Sequence, residues 1–220
     1  MVRRSRRSPI PLVTRTLVAL ALGLGAAAAA HAQDSGAPAP GASAAPTPWR
    51  PRPVRTGTVS LGGQAGYGSL LGGPFSDDFN NGLGLGFNLR YRTSPDAAFG
   101  VSFEAHNFGV KVKSNSATAH DRLQLIVTTV DYTMFGATRS RMPRYVQIGA
   151  GFAQTRIRDV DGEKLFPGDG GVFKVGAGLE YWAWRTLSLD LGVRYHGVLL
   201  RSKLNHDLQV GLGFNFYTSP

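Results

Sequence analysis

Gly82-Leu-Gly-Leu-Gly-Phe-Asn-Leu-Arg-Tyr-Arg92 alternates at every step. Leu83, Leu85, Phe87, Leu89 and Tyr91 share one face, and Gly82, Gly84, Gly86, Asn88 and Arg90 share the other. A period of two puts each set on one side of a strand, whereas a helix would scatter the leucines around its circumference. The run is therefore a strand. Its glycines are not a dinucleotide loop, because no helical pattern follows them.

The same writing recurs on both sides of this stretch. Upstream, Val59, Leu61, Ala65 and Tyr67 face away from Ser60, Gly62 and Gln64. Downstream come Phe99, Val101, Phe103 and Ala105 against Gly100, Ser102, Glu104 and His106, then Val146 to Phe152 against Gln147, Gly149 and Gly151. Phe173 to Tyr181, Leu187 to Tyr195 and Leu208 to Phe216 alternate likewise. The segment from Arg122 to Met134 changes phase: Leu123, Leu125 and Val127 keep one parity, while Val130, Tyr132 and Met134 keep the other. A β-bulge near Thr128-Thr129 is the expected reason. Eight strands in all are expected.

Three features point to a membrane barrel instead of a soluble sandwich. The polar face is rich in glycine and in charges of both signs, where a solvated sheet face would carry Lys, Glu and Thr. Glycine and paired charges suit a narrow interior. The connections alternate in expected length: Thr93–Ala97, Gly136–Pro143 and Ala183–Thr186 are short, while Gly68–Asn81, Phe108–Asp121, Ile157–Gly171 and Gly197–His206 are longer. Outer-membrane barrels keep short periplasmic turns and long external loops. Finally, aromatic residues gather at both ends of the strands. Tyr91, Phe99, Tyr132, Phe135, Tyr181, Trp182 and Trp184 lie toward the short turns; Tyr67, Phe108, Phe152, Phe173 and Tyr195 lie toward the loops. Two such girdles are expected at the two interfaces. The fold class expected is an all-β, eight-stranded, antiparallel up-and-down transmembrane barrel over 58–217.

The N-terminus reads as an export signal over 1–32. Arg3, Arg4, Arg6, Arg7 and Arg15 form a basic region, Leu17 to Ala30 is apolar, and Ala30 and Ala32 are the small residues at a cleavage site. The apolar run is too short for a helical span. Residues 33–57, rich in Pro and Ala, read as a disordered linker, and 218–220 as a short tail. Five of the arginines behind the formal net charge of +10 lie in the signal, which holds no acid, so the remainder carries +5. These charges are mixed along the chain, which excludes a nucleic-acid interface. The absence of cysteine excludes a disulfide framework and a thiol nucleophile.

Polar groups inside so narrow a barrel must be paired. Arg90, Lys174 and Arg194 with Glu104, Glu180, Asp190 and Asp207 are the expected inward set, an ionic network of structural purpose. No catalytic residue, metal site or cofactor is expected. His120-Asp121 and His206-Asp207 sit where strands begin, and His196 tops its strand, but neighbours in a strand point to opposite faces and cannot pair simply. Asp159-Val-Asp-Gly-Glu163 and Pro167-Gly-Asp-Gly-Gly171 lack calcium-loop spacing and read as turns.

Two segments carry a resemblance to a known family. Gly176-Ala-Gly-Leu-Glu-Tyr181 followed by Leu187-Ser-Leu-Asp-Leu-Gly-Val-Arg-Tyr195 resembles the late hairpin of OmpA-like and OmpX-like small outer-membrane barrels. Gln209-Val-Gly211-Leu-Gly-Phe214-Asn-Phe216 is similar to their assembly signal, with Gln209, Gly211, Phe214 and Phe216 in the matching places. The resemblance spans 58–216 and does not extend to the peptidoglycan-binding domain of full-length OmpA. Family members often stop at the terminal aromatic, whereas Tyr217-Thr-Ser-Pro220 follow here and, past the last face-matched position, are expected to matter little. The resemblance implies a monomer in the bacterial outer membrane, in contact with its lipid and lipopolysaccharide and delivered by the outer-membrane assembly machinery. The expected role is non-enzymatic, in envelope stability or surface interaction. The alternatives are a narrow pore and a rim hydrolase acting on lipid A or peptides.

Overall fold

The computed structural model describes residues 54–110, 120–159, 164–200 and 202–218. The expected signal, most of the linker and the last two residues lie outside the described residues. The strands are β1 (Val59–Gly72), β2 (Phe79–Ser94), β3 (Ala97–Val110), β4 (His120–Gly136), β5 (Arg144–Asp159), β6 (Lys164–Trp182), β7 (Leu187–Leu200) and β8 (Lys203–Tyr217). One short helix, α1 (Pro74–Asp78), links β1 to β2. Each strand pairs antiparallel with its chain neighbour, and β8 closes on β1 from Ser60 opposite Tyr217 to Gly72 opposite His206. Closure satisfies both edges, the condition for a sheet to cross a membrane.

The strand parity settles which face is which. Leu83, Leu85, Phe87, Leu89 and Tyr91 are exposed, and Asn88 and Arg90 are buried. Leu61, Val101, Phe103, Ile148, Val175, Leu189, Leu191 and Leu212 continue an apolar belt around the exterior. An apolar surface this continuous is incompatible with water and suits hydrocarbon. Strands of 14 to 19 residues exceed the roughly 9–11 that cross a bilayer, so they project beyond it.

Three expectations are corrected. β4 carries no bulge at Thr128-Thr129: its pairing with β3 is unbroken from Met134 to Arg122, and with β5 the only shift lies between His120 and Arg122. Leu123, Leu125 and Val127 keep the inward parity of Thr129, Asp131 and Thr133, so the apparent phase change is a change in lumen chemistry from polar to apolar. Nor does the strict alternation of short and long connections hold. Pairing runs on into the expected loops, so that β1 and β2 are joined by 73–78 and β7 and β8 by only 201–202, while 167–171 belong to β6. The inward apolar Val172, Val198 and Leu200 bury as the strands extend, which rewards the extra pairing. Lastly, Phe108, Phe135 and Trp182 are not girdle residues; all three point inward and are buried. Tyr91, Phe99, Trp184, Tyr67, Phe152 and Phe173 remain exposed on the exterior.

Candidate functional site

The lumen is filled in layers. At the short-turn end Ala98, Phe135 and Tyr145 pack together. The Arg92 guanidinium lies 3.3 Å from the centre of the Phe135 ring, and Trp182 packs on Tyr217 at 4.6 Å between centroids. Above this lid, Arg90 Nη1 donates to Glu180 Oε1 at 2.6 Å, and Asn215 Nδ2 donates to the same oxygen at 3.3 Å. Tyr217 donates its hydroxyl to Glu180 Oε2. Tyr145 and Arg194 both donate to Asp190 Oδ1, each at 3.2 Å.

The middle layer centres on Lys174. Its Nζ lies 2.8 Å from Asp131 Oδ2 and 3.2 Å from Glu104 Oε1. Ser102 donates to the same Asp131 oxygen. Gly149 makes this layer possible, since a Cβ there would stand 2.1 Å from Asp131 Oδ1. Next come His106 and His196, with ring centroids 5.4 Å apart and edge to face, between Glu104 below and Asp207 beside them. At the far end Phe79, Phe108, Leu123, Leu125, Val127, Val198 and Leu200 form an apolar plug, against which Leu70 and the α1 residue Phe75 pack. The void between plug and Asp207 holds about 10 Å³, no more than one water occupies.

All of the sequence-expected inward charges, Arg90, Glu104, Lys174, Glu180, Asp190, Arg194 and Asp207, are buried here. Arg92, Asp131, Tyr145 and Tyr217 join them, which the sequence reading did not single out. Asp131 and Tyr145 were hidden by the presumed bulge and by the assumption that aromatics face lipid. Tyr217, past the last face-matched position of the sequence pattern and expected to matter little, is buried and bonded to Glu180, which overturns that expectation. Of the assembly-signal residues, Phe214 and Phe216 face outward, and Gln209 and Gly211 face the lumen.

The rim offers less. His206 is half-buried and shares a hydrogen bond with the Tyr195 hydroxyl, while Asp207 points inward, so the two do not form a dyad. The side chains of His120 and Asp121 lie outside the described residues.

No protein-family model matches the chain, and no curated protein sequence matches it. Solved structures do. Neisserial surface protein A, NspA, superimposes with a TM-score of 0.58 at 15% identity, over 73% of this chain and 98% of that one. The outer membrane protein OprG from Pseudomonas aeruginosa gives 0.52 at 12% identity, over 74% and 98%. At these identities the likeness is one of fold, and in fold this chain is a small eight-stranded outer-membrane β-barrel.

Proposed function

We propose that the protein is a monomeric, non-enzymatic component of the bacterial outer membrane that stabilises the envelope and presents its loop end for surface contact. The observation that carries this reading is the filled lumen beneath an apolar belt: aromatic lid, ion pairs and apolar plug succeed one another with little room for water. Such an interior spends its polar groups on each other. The belt seats the barrel in outer-membrane lipid and lipopolysaccharide, and Phe214 and Phe216, exposed at the end of β8, suit recognition by the assembly machinery. The pore reading needs a conduit, and the close packing of these layers among the described residues favours the non-conducting one.

The test is conductance. Refolded protein in planar bilayers is expected to give no unitary currents above the protein-free control, while cells lacking the protein leak a periplasmic marker under detergent more than cells carrying it. Reproducible unitary currents would replace this reading with the pore. Unchanged leakage would remove the envelope role.

A further inference from the structure

Two layers of the lumen differ in charge balance. Around the aromatic end, Arg90, Arg92 and Arg194 face Glu180 and Asp190. Around the histidines, Lys174 faces three carboxylates, Glu104, Asp131 and Asp207, all at most 2% exposed, and Arg194 of the other layer also acts on Glu104. With neutral imidazoles the carboxylates outnumber the cations around this layer, an excess that a desolvated interior does not tolerate.

The geometry around the imidazoles is ordered. Glu104 Oε2 lies 3.5 Å from His106 Nε2 and 3.5 Å from His196 Nε2. On the other side, Asp207 Oδ2 lies 3.5 Å from His106 Nδ1 and 3.3 Å from His196 Nδ1. All four ring nitrogens, with Glu104 Oε2 and both Asp207 oxygens, are buried and have no hydrogen-bond partner. A charge-assisted N–H···O contact normally closes to about 2.7–2.9 Å. The observed edges are longer. The two Glu104 edges are close instead to the ligand-to-ligand edge of a tetrahedral zinc site, about 3.3 Å for metal–ligand bonds of about 2.0–2.1 Å. The one-atom donors of Glu104, His106 and His196 all lie within 4.8 Å of one another.

We propose that Glu104 Oε2, His106 Nε2 and His196 Nε2 bind a divalent transition-metal ion of the zinc type inside the barrel. Asp207 completes the arrangement from outside the ligand set: its Oδ2 stands opposite both Nδ1 atoms, at 3.5 and 3.3 Å, where a carboxylate favours the tautomer that turns each Nε2 lone pair toward Glu104, the carboxylate–histidine–metal pattern. Lys174 holds the other Glu104 oxygen. A divalent ion offsets that excess of negative charge. Gly84 keeps space for the rings, since a Cβ there would stand 3.1 Å from His106 Nδ1. The ligands come from β3 and β7 and the orienting carboxylate from β8, so the ion staples strands that are not neighbours: β3 and β7 lie on opposite sides of the lumen. With a plug above and a lid below, the ion enters as the barrel folds.

The experiment refolds the full chain in detergent with ZnCl2 or with EDTA, desalts it, and measures zinc by mass spectrometry. About one zinc per barrel is expected after ZnCl2, retained through an EDTA wash, with a higher urea midpoint than the EDTA-refolded sample. The double substitution His106→Gln with His196→Gln is expected to lose the zinc, and His206→Gln, which alters an outward ring, to keep it. Should the double variant fail to fold, X-ray absorption at the zinc edge of the wild type decides: imidazole scattering from two histidines supports the site, and its absence overturns it. Folded wild type with no more zinc than the EDTA control also overturns it.

Discussion

Glu180 is fully buried and receives Arg90, Asn215 and Tyr217 on its two oxygens. Strand parity shows from the sequence that it points inward; it does not show which cation meets it, because Arg90 lies ninety residues away on a different strand. Removing one member of a buried ion pair leaves the other charge unpaired, at a cost of about 3–5 kcal/mol. Glu180→Ala should therefore lower the urea midpoint sharply, while Asp77→Ala, at an exposed carboxylate of α1, should change stability by at most about 1 kcal/mol. Equal midpoints for the two would dismiss the lumen network. Tyr217→Phe isolates a single hydrogen bond to a charged acceptor and should cost about 1.5–3 kcal/mol with little change in packing. If deleting 217–220 leaves the urea midpoint unchanged, the buried position of Tyr217 is wrong.

β4 shows where period alone misleads at the scale of an element. Its inward side chains run Leu123, Leu125, Val127, Thr129, Asp131, Thr133, apolar and then polar along one face. A rule that equates polar with inward reads the switch as a bulge, and only continuous pairing with β3 and β5 shows otherwise. Leu125→Ala should open a cavity in the plug and cost about 2–5 kcal/mol; Thr128→Ala, on the exposed face, should be near neutral. The reverse order in chemical unfolding would restore the bulge. β8 carries a different test. Phe216 is exposed at its end and pairs with Leu61 on β1 and Leu187 on β7. Placing a carboxylate there should impair both lipid burial and recognition during assembly. Phe216→Asp should reduce the amount of protein in outer-membrane fractions, with Leu204→Asp, near the opposite end of β8, as the comparison; equal yields for wild type and Phe216→Asp would refute the assignment.

For the whole molecule, closure means that no edge remains from which detergent can peel a strand. The folded protein should resist SDS, migrate differently before and after boiling, and show β circular dichroism; identical migration with a helical spectrum would contradict the architecture. The sequence by itself determined the number of strands, the two faces of every strand but β4, and the membrane environment, because a period of two and an apolar exterior are local facts written along each segment. It also determined that Arg90, Glu104, Lys174, Glu180, Asp190 and Arg194 point the same way. Tertiary structure alone decided the rest. Pairs such as Arg90 with Glu180, the meeting of His106 with His196, and the inward turn of Phe108, Phe135 and Trp182 depend on closure, which brings β3 to face β7 across a lumen. Parity says only that a side chain points inward; what it meets there is set by register summed around eight strands.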